Sequence, residues 1–483
     1  MNRPCDGTDH NFGMETDDLR DGRERRRPSV TRRKRGFKRK KSKDTCKNIL
    51  AARIQQFGDD TTFHGLRYVT NSTYHTFRRF VWLLVVTGMT ALLIFDIIRA
   101  IMLMFEYPEM SSISVQYPPN ITFPALTLCN INMLRKDALD ASEVQLLSDI
   151  FANPATPPDT DALVDSKLFN SSSNEELMGR MIDASYRIED MLVKCRWVSE
   201  TCSYRNFTRS ITDHGVCYTF NDPLSDHEAL IVRHPGSRHG LFMRLNVQQY
   251  LYTYGESTAA GLKVLLHAQG EYPMIKDFAF SLSPGFETSI VVRQKVMINQ
   301  KAPYKSNCTD GNWGRHRFKY SAASCKYACK ILYVTRKCGC RDYRWSIRDI
   351  PICSLEKQVQ CIYRYEDEFV LSQENQCHCP IACKAITYGR EISQAYWPAS
   401  FLSKELQAEM NVTEDFIREN YLDVYIYYDE IMYTRIEQIG AYTVDNLQSD
   451  IGGYLGLLCG MSLMTVVELL DFILVALCSR LKR

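Results

Sequence analysis

The chain has 483 residues, and its 59 Lys and Arg against 56 Asp and Glu leave a formal net charge of +3. That near balance hides an asymmetry, because Arg23 to Lys47 alone contains fourteen Lys or Arg, including Arg32-Arg-Lys-Arg35 and Lys38-Arg-Lys-Lys41. Such a run suits nucleic acid or a nuclear address on its own, but the apolar segments that follow exclude nucleic acid and make anionic membrane lipid its partner.

Residues 1–48 read as a basic cytoplasmic tail without fixed structure, and 49–79 as a short segment leading to the membrane. Phe80 to Phe105 is the first apolar run, with Trp82-Leu-Leu-Val-Val and Ala91-Leu-Leu-Ile-Phe inside it. At 1.5 Å per residue it is long enough to cross a ~30 Å hydrocarbon layer. About eighty residues precede it and no cleavage-site pattern occurs earlier, so it is an uncleaved anchor rather than a signal peptide. Asp96 and Arg99 interrupt the run at i and i+3, where a mutual ion pair is expected.

The body between the crossings, 106–450, holds fourteen of the eighteen cysteines, from Cys129 to Cys383. An even set of this size implies up to seven disulfides and an oxidising compartment. Cys338-Gly-Cys340 and Cys377-His-Cys379 also have the look of zinc ligands, but no second matched Cys/His pair accompanies them and bridges are the better reading, with no metal. Five sequons fall in this region, at Asn120, Asn170, Asn206, Asn307 and Asn411, while Asn71-Ser-Thr lies on the cytoplasmic side and is unused.

Within the body, 134–193 mixes acidic and apolar positions at helical spacing, broken by Asn153-Pro-Ala-Thr-Pro-Pro, and reads as helices joined by a loop. Leu241 to Met297 shortens to strand-like runs such as Leu262-Lys-Val-Leu-Leu-His. The cysteine-dense 308–383 stretch reads as a helical, disulfide-stapled lobe, since Ala322 to Lys330 and Ser354 to Leu371 are rich in helix formers. Tyr421-Leu-Asp-Val-Tyr-Ile-Tyr-Tyr alternates as a strand that leads into the second crossing.

That crossing, 451–478, carries Gly452, Gly456 and Gly460 at i, i+4 and i+8, a side-chain-free stripe on one continuous helix where other helices can approach. Glu468 and Asp471, at i and i+3, share a face. A carboxylate at membrane depth costs about 2.5 to 3.5 kcal/mol on insertion scales, so such groups usually face a watery path. Residues 479–483 are basic and short, which puts both termini in the cytoplasm of a two-span plasma-membrane protein. Cys478, beside the membrane, is a possible palmitoylation position.

An ectoenzyme has little support. His227-Glu228 is followed by Ile231 where a zinc-binding His would be needed, no Gly-x-Ser-x-Gly appears, and Pro235-Gly-Ser-Arg-His-Gly240 reads as a loop. A two-span receptor without a pore explains the topology equally well, but it leaves the acids and glycines of one helix without a purpose.

Taken with this topology, several motifs give the chain a resemblance to the degenerin, epithelial sodium channel and acid-sensing ion channel family. His64-Gly65 resembles its pair before the first span, Phe123-Pro-Ala-Leu-Thr-Leu-Cys-Asn130 its motif just outside that span, and Gly215-Val-Cys-Tyr-Thr-Phe-Asn221 a second outer motif. The resemblance implies an α+β membrane protein with two transmembrane helices per subunit. Its large disulfide-rich extracellular domain would have a central β-sheet palm, a helical finger-like part at 134–193 and a thumb-like part at 308–383. Carried over in order, the cysteines would pair Cys129 with Cys217, Cys195 with Cys202, Cys308 with Cys383, Cys325 with Cys379, Cys329 with Cys377, Cys338 with Cys361, and Cys340 with Cys353.

The same resemblance implies a homotrimer or heterotrimer with a sodium-selective pore blocked by amiloride, no cofactor, and Na+ as the permeant ion. Gly460, Met461 and Ser462 would form the selectivity belt, where Met461 departs from the family's Ala or Ser. Ser449, Asp450, Gly452 and Gly453 fall on the gate, with bulky residues at the Ser449 position holding family channels open. Glu468 and Asp471 would line the inner pore, and His64-Gly65 a re-entrant segment beneath it. Tyr107 and Tyr304 resemble the aromatic contact coupling the thumb to the first span. Acid-sensing members carry histidine where this chain has Pro108-Glu109, and their acidic stretch is thinned here to Gly255-Glu-Ser-Thr-Ala-Ala-Gly261. The Pro303-Tyr304 form with Cys308 resembles invertebrate relatives that include peptide-gated sodium channels, so the expected opening ligand is an extracellular neuropeptide, with protons second.

Overall fold

The computed structural model describes residues 52–152, 173–222, 228–311, 318–345, 350–371 and 377–481. The basic tail at 1–48, the Pro-rich break and the Asn170 sequon lie outside them. The chain divides into two units, one of residues up to Arg99 together with Gln448 onward, the other of Ala100–Leu447.

In the larger unit alternating apolar positions build three sheets. The largest uses β1 (Glu109–Gln116), β4 (Leu192–Trp197), β5 (Glu200–Thr201), β9 (Leu241–Asn246), β12 (Phe286–Ile298), β13 (Lys384–Tyr396) and β14 (Tyr421–Gly440). Its order is β13-β12-β14-β9-β4-β5, with β1 also on β14. A second sheet, in the order β11-β10-β3-β7-β6, is made of β3 (Ala125–Asn130), β6 (Phe207–Ile211), β7 (Val216–Phe220), β10 (Leu262–His267) and β11 (Phe280–Leu282). Strands β2 (Ile121–Thr122) and β8 (Ile231–Val232) form a small third pair.

One core joins the two large sheets. Leu126 and Leu128 of β3 pack in the same cluster as Leu245 of β9, Ile290 of β12 and Val424 of β14, all fully buried. Each such side chain contributes about 1.5 to 3 kcal/mol relative to an exposed one. Inside the large sheet Arg244 donates Nε and Nη2 to the two Asp423 oxygens at 2.7 and 2.8 Å, and its guanidinium lies 4.7 Å from the Trp397 ring centre. A two-pronged bond of this kind leaves little of either buried charge unpaired.

The strands predicted between 241 and 297 and from Tyr421 onward are present, as are helices at Ala141–Ala152 and Asn174–Asp183. The cysteine-dense lobe is helical, with Ala322–Cys338 opened by a reciprocal Ser321/Ser324 cap and closed by Gly339 in the left-handed region. A second helical stretch runs from Leu355 to Leu371 through a π-turn at Gln358–Ile362. Cys325 and Cys329, one turn apart on the first helix, bridge to Cys379 and Cys377. Cys338–Cys361 and Cys340–Cys353 bind its C-terminal end, and Cys308–Cys383 closes the lobe's base. With Cys129–Cys217 and Cys195–Cys202 these are the seven pairs the resemblance implies.

In the smaller unit a helix over 52–60 and a short one at Leu66–Thr70 precede Thr76–Phe105, which is long and apolar enough to cross a membrane. Asp96 and Arg99 do not form the ion pair expected of them among the described residues. The second apolar segment also differs from expectation. The single helix expected across 451–478 is two, Val444–Cys459 and Leu463–Leu481, and the pair bends by 75° at residues 460–462. Gly460 has left the glycine stripe because it takes φ +61, the left-handed conformation that ends helices.

Candidate ion-conduction site

The break at Gly460-Met461-Ser462 is closed on both sides by local hydrogen bonds. Gly460 N–H reaches Gly456 O at 3.0 Å and Met461 N–H reaches Leu455 O at 3.0 Å. Ser462 N–H is taken by the Thr465 hydroxyl at 3.0 Å, so Ser462 starts the next helix in the manner of a half-completed capping box. With those three N–H groups committed, the carbonyls of Leu457 and Leu458 receive none of the i+4 bonds a continuous helix would give them. Non-helical backbone at membrane depth is tolerated where it lines a watery cavity or is buried in protein.

The segment before the first long helix folds onto this break. His64 N–H donates to Cys459 O at 3.0 Å, and a Cβ on Gly460 would run into the His64 imidazole. Gly65 takes φ +86, and a Cβ there would press on Val86 and Trp82. Both glycines are thus fixed by close approach as well as by backbone conformation. One turn lower, Thr61 Oγ1 donates to Glu468 Oε2 at 3.1 Å and Thr62 N–H to the same oxygen at 3.3 Å, while the Thr62 and Thr465 hydroxyls bond each other. Phe57 packs against Phe472 at a tilt, ring centres 4.6 Å apart. A cavity of about 480 Å³ opens beside these contacts, lined among others by Arg53, Asp60, Glu468 and Asp471. Glu468 is half-buried and hydrogen-bonded, whereas Asp471 is exposed in the cavity wall. The two acids share one face, as their spacing requires, but their surroundings differ.

The other site residues make none of these contacts. Ser449, Asp450, Gly452 and Gly453 are on the helix Val444–Cys459, and nothing stands within 4 Å of a Cβ at Gly452, Gly453 or Gly456. In the larger unit Tyr107 and Tyr304 meet edge to face at 5.7 Å. Around them Ser306 N–H donates to Glu109 at 2.9 Å, Gln300 Nε2 donates to Gln438 O at 2.7 Å, and the Tyr304 hydroxyl lies over Gly440. The base of the disulfide lobe therefore grips β1 and β14 together, the strands nearest the two apolar segments in sequence. Asn120, Asn206, Asn307 and Asn411 are all exposed.

Three groups here went unremarked in the sequence. Thr61 and Thr62 directly precede the His-Gly pair, and Thr465 stands three residues before Glu468, a spacing that in retrospect marks them. In the larger unit Arg344 binds Asp342 at 2.5 Å and Glu256 at 3.1 Å, and Lys276 binds Glu256 at 2.7 Å. Burial alone would raise the Glu256 carboxyl, but Arg344 and Lys276 hold it below its usual value; burial and Arg344 oppose each other in the same way at Asp342, which also ends low. Glu271, beside a 230 Å³ cavity with Lys319 and Lys384, is instead raised by burial. Two buried histidines, His267 on Thr127 Oγ1 at 2.8 Å and His214 on Asn130 O at 2.9 Å, are lowered to about 4, mainly by burial.

A long apolar helix, a broken second one and a body held by seven disulfides define a membrane protein with a large disulfide-rich, mixed sheet-and-helix domain. The chain belongs to the amiloride-sensitive sodium channel family, whose pattern matches residues 57–472, and it is a cation channel of that family. It is 30% identical over 454 residues to acid-sensing ion channel 1C of Danio rerio, covering 89% of this chain and 85% of that one. It is 31% identical over 440 residues to acid-sensing ion channel 1 of Gallus gallus, with 87% and 83% covered. Acid-sensing ion channel 2 of Rattus norvegicus is 29% identical over 446 residues, with 88% and 87% covered. A solved proton-activated chloride channel aligns at a TM-score of 0.30 and 8% identity over 82% of this chain and 97% of that one, too loose a likeness to bear on function.

Proposed function

We propose that three copies of this chain, or this chain with related subunits, form a sodium-selective plasma-membrane pore with two spans per subunit and both termini in the cytoplasm. The observation that carries the reading is the break at 460–462. An apolar helix interrupted at a left-handed glycine, with carbonyls freed above and two carboxylates below, is suited to replacing the hydration shell of a small cation and to concentrating cations beneath it. Gly460, Met461 and Ser462 act as the selectivity belt, Glu468 and Asp471 as inner pore acids, and Ser449, Asp450, Gly452 and Gly453 as the gate. Tyr107 and Tyr304 transmit movement of the disulfide lobe to β1 and β14.

The opening stimulus is extracellular. The sequence put a peptide first, but the similarity to proteins named acid-sensing channels over nearly nine-tenths of the chain moves protons ahead. A peptide remains the second reading, because Glu256 and Asp342 are already tied to Arg344 and stay charged under mild acid. Voltage-clamped cells expressing the chain should pass an inward, amiloride-sensitive sodium current on acid steps or on one of a panel of amidated peptides. Silence under both, with Ser449→Trp also silent and the protein present at the surface, would overturn the channel reading.

A further inference from the structure

In the larger unit a groove of about 840 Å³ opens on one face of the seven-stranded sheet, with Ser289 of β12 and Tyr425 and Tyr427 of β14 on its floor. Arg196 of β4 and Arg238 of the short turn Ser237–His239 stand in its walls. Arg196, Phe242, Tyr425 and Ser289 form one row across four strands, because each is the register partner of the next. The Arg196 guanidinium lies 5.6 Å from the Phe242 ring centre, and that ring is 4.8 Å from Tyr425. Both arginines are exposed, and among the described residues neither has a carboxylate within 4.0 Å. Glu287 is the acid in the lining, so two arginines face one carboxylate.

The walls are fixed to the sheet and to each other. Gly236 N–H donates to Tyr428 O at 2.8 Å, and a Cβ on Gly240 would run into Ile426 O, so the turn carrying Arg238 is held on β14 at both ends. Val198 N–H donates to Gly240 O at 2.9 Å from a backbone at φ 53, a conformation that a β-branched residue seldom takes. The turn after β4 is thereby tied to the turn before β9.

We propose that this groove binds an acidic saccharide, a run of sugar rings bearing sulfate or carboxylate groups. Arg196 and Arg238 supply planar forks that take such anions by two parallel bonds, and contact with Phe242 sets the plane of the first. The Tyr425 and Tyr427 rings present apolar faces to sugar C–H groups, while Ser199 and Ser289 supply hydroxyls that both donate and accept. Walls set in place before the ligand arrives lower the ordering cost of binding. A saccharide is favoured over a lone inorganic anion because the groove is far larger than one sulfate and its two arginines stand on separate elements. The inference rests on the proposed extracellular placement of this unit.

Intact cells expressing the full chain are titrated with a fluorescent heparin octasaccharide, the bound signal being scaled to the amount of chain at the surface. In the proposed topology the basic run from Arg23 to Lys47 is behind the membrane and adds nothing to that signal. Arg196→Gln and Arg238→Gln should each weaken binding about tenfold, the scale of one charge-assisted pair. Arg196→Lys should recover only part, since it keeps the charge and loses the fork. Arg390→Gln, which removes an arginine 4.4 Å from the Phe280 ring centre and outside the groove, should change nothing. Unchanged binding in either groove variant, or an equal loss in Arg390→Gln, would overturn the site. Inorganic sulfate that displaces the octasaccharide at matched sulfate concentration would reassign the groove to a free anion, and polyglutamate of equal charge that displaces it as well would reassign it to an acidic peptide; either result sinks the saccharide. A glycosidase shift at the sequons of the larger unit reads its placement by itself. No binding by a glycosylated chain counts against the groove alone, whereas a chain without glycans withdraws the extracellular placement and the proposal with it.

Discussion

At Gly460 two constraints coincide, a positive φ and an imidazole where a Cβ would go. Gly460→Ala should therefore remove current while leaving the outer body folded, as read by surface labelling alongside voltage clamp; wild-type current would show that neither constraint matters. Glu468 and Asp471 are separable by the same logic. Glu468→Gln keeps an acceptor for Thr61 and loses the charge, so a change in conductance from this variant assigns an electrostatic role, whereas a defect seen only in Glu468→Ala assigns a structural one. Asp471→Ala should lower conductance without disturbing the fold, because its carboxylate is exposed. The buried histidines make a stability prediction. Their folded values lie near 4 against 6.5 for a free imidazole, so the unfolded chain binds protons first as pH falls. Stability is full above pH ~6.5, declines between there and ~4, and then levels, by about 3 kcal/mol per histidine. Thermal melts of the outer body that do not move across that interval would contradict it, and His267→Gln should flatten half of the slope.

Elements set the next scale, and the disulfide lobe is the clearest. Its helices are legible as helix formers between cysteines, and Tyr304 as part of the family's coupling contact, but the polar contacts in two of the lobe's ties to the rest of the body are not. One is the Arg344 network with Glu256 and Lys276; the other is the grip of Tyr304 and Ser306 on β1 and β14. Arg344→Met strands the buried Asp342 carboxylate and the half-buried Glu256, and should cost about 3 to 5 kcal/mol. Asp342→Asn made together with it should recover much of that loss, since the charge left unpaired is the cause. Urea unfolding of the two variants reads the difference, and equal losses would mean that packing, not charge, is what the arginine supplies. Tyr304→Ala keeps the lobe folded by its five disulfides while cutting the aromatic contact, and should leave agonist binding but weaken opening.

For the whole molecule the question is what moves when a stimulus arrives. A ligand shifts an opening equilibrium only by its difference in affinity between closed and open forms. Under acid, the carboxyls paired with arginine take up protons late, while Glu271, raised by burial beside its cavity, takes one before they do. Glu271→Gln, which fixes the neutral form, should then move the acid midpoint to higher pH; an unmoved midpoint in a channel that does open to acid would put the sensor elsewhere.

Much of this was available from residue order alone. The apolar runs, the basic tail, the fourteen cysteines between the apolar runs and the alternation of β12 and β14 follow from composition and periodicity, since burial in lipid or in a sheet acts on every residue of a run. The helix break was not legible in that way. Gly460 reads as the third member of a glycine stripe until the His64 imidazole is seen against it, and Asp96 and Arg99 read as a pair although they make none. The hydroxyls of Thr61 and Thr62 meet Glu468 and Thr465 some four hundred residues later, and Arg344 meets Glu256 across the body. The sequence by itself determined which segments leave water and which cysteines are available to bridge. Tertiary structure decided where the second apolar helix bends, which carboxylates stay charged and which glycines cannot be replaced, because those depend on atoms that only folding brings within a few ångströms.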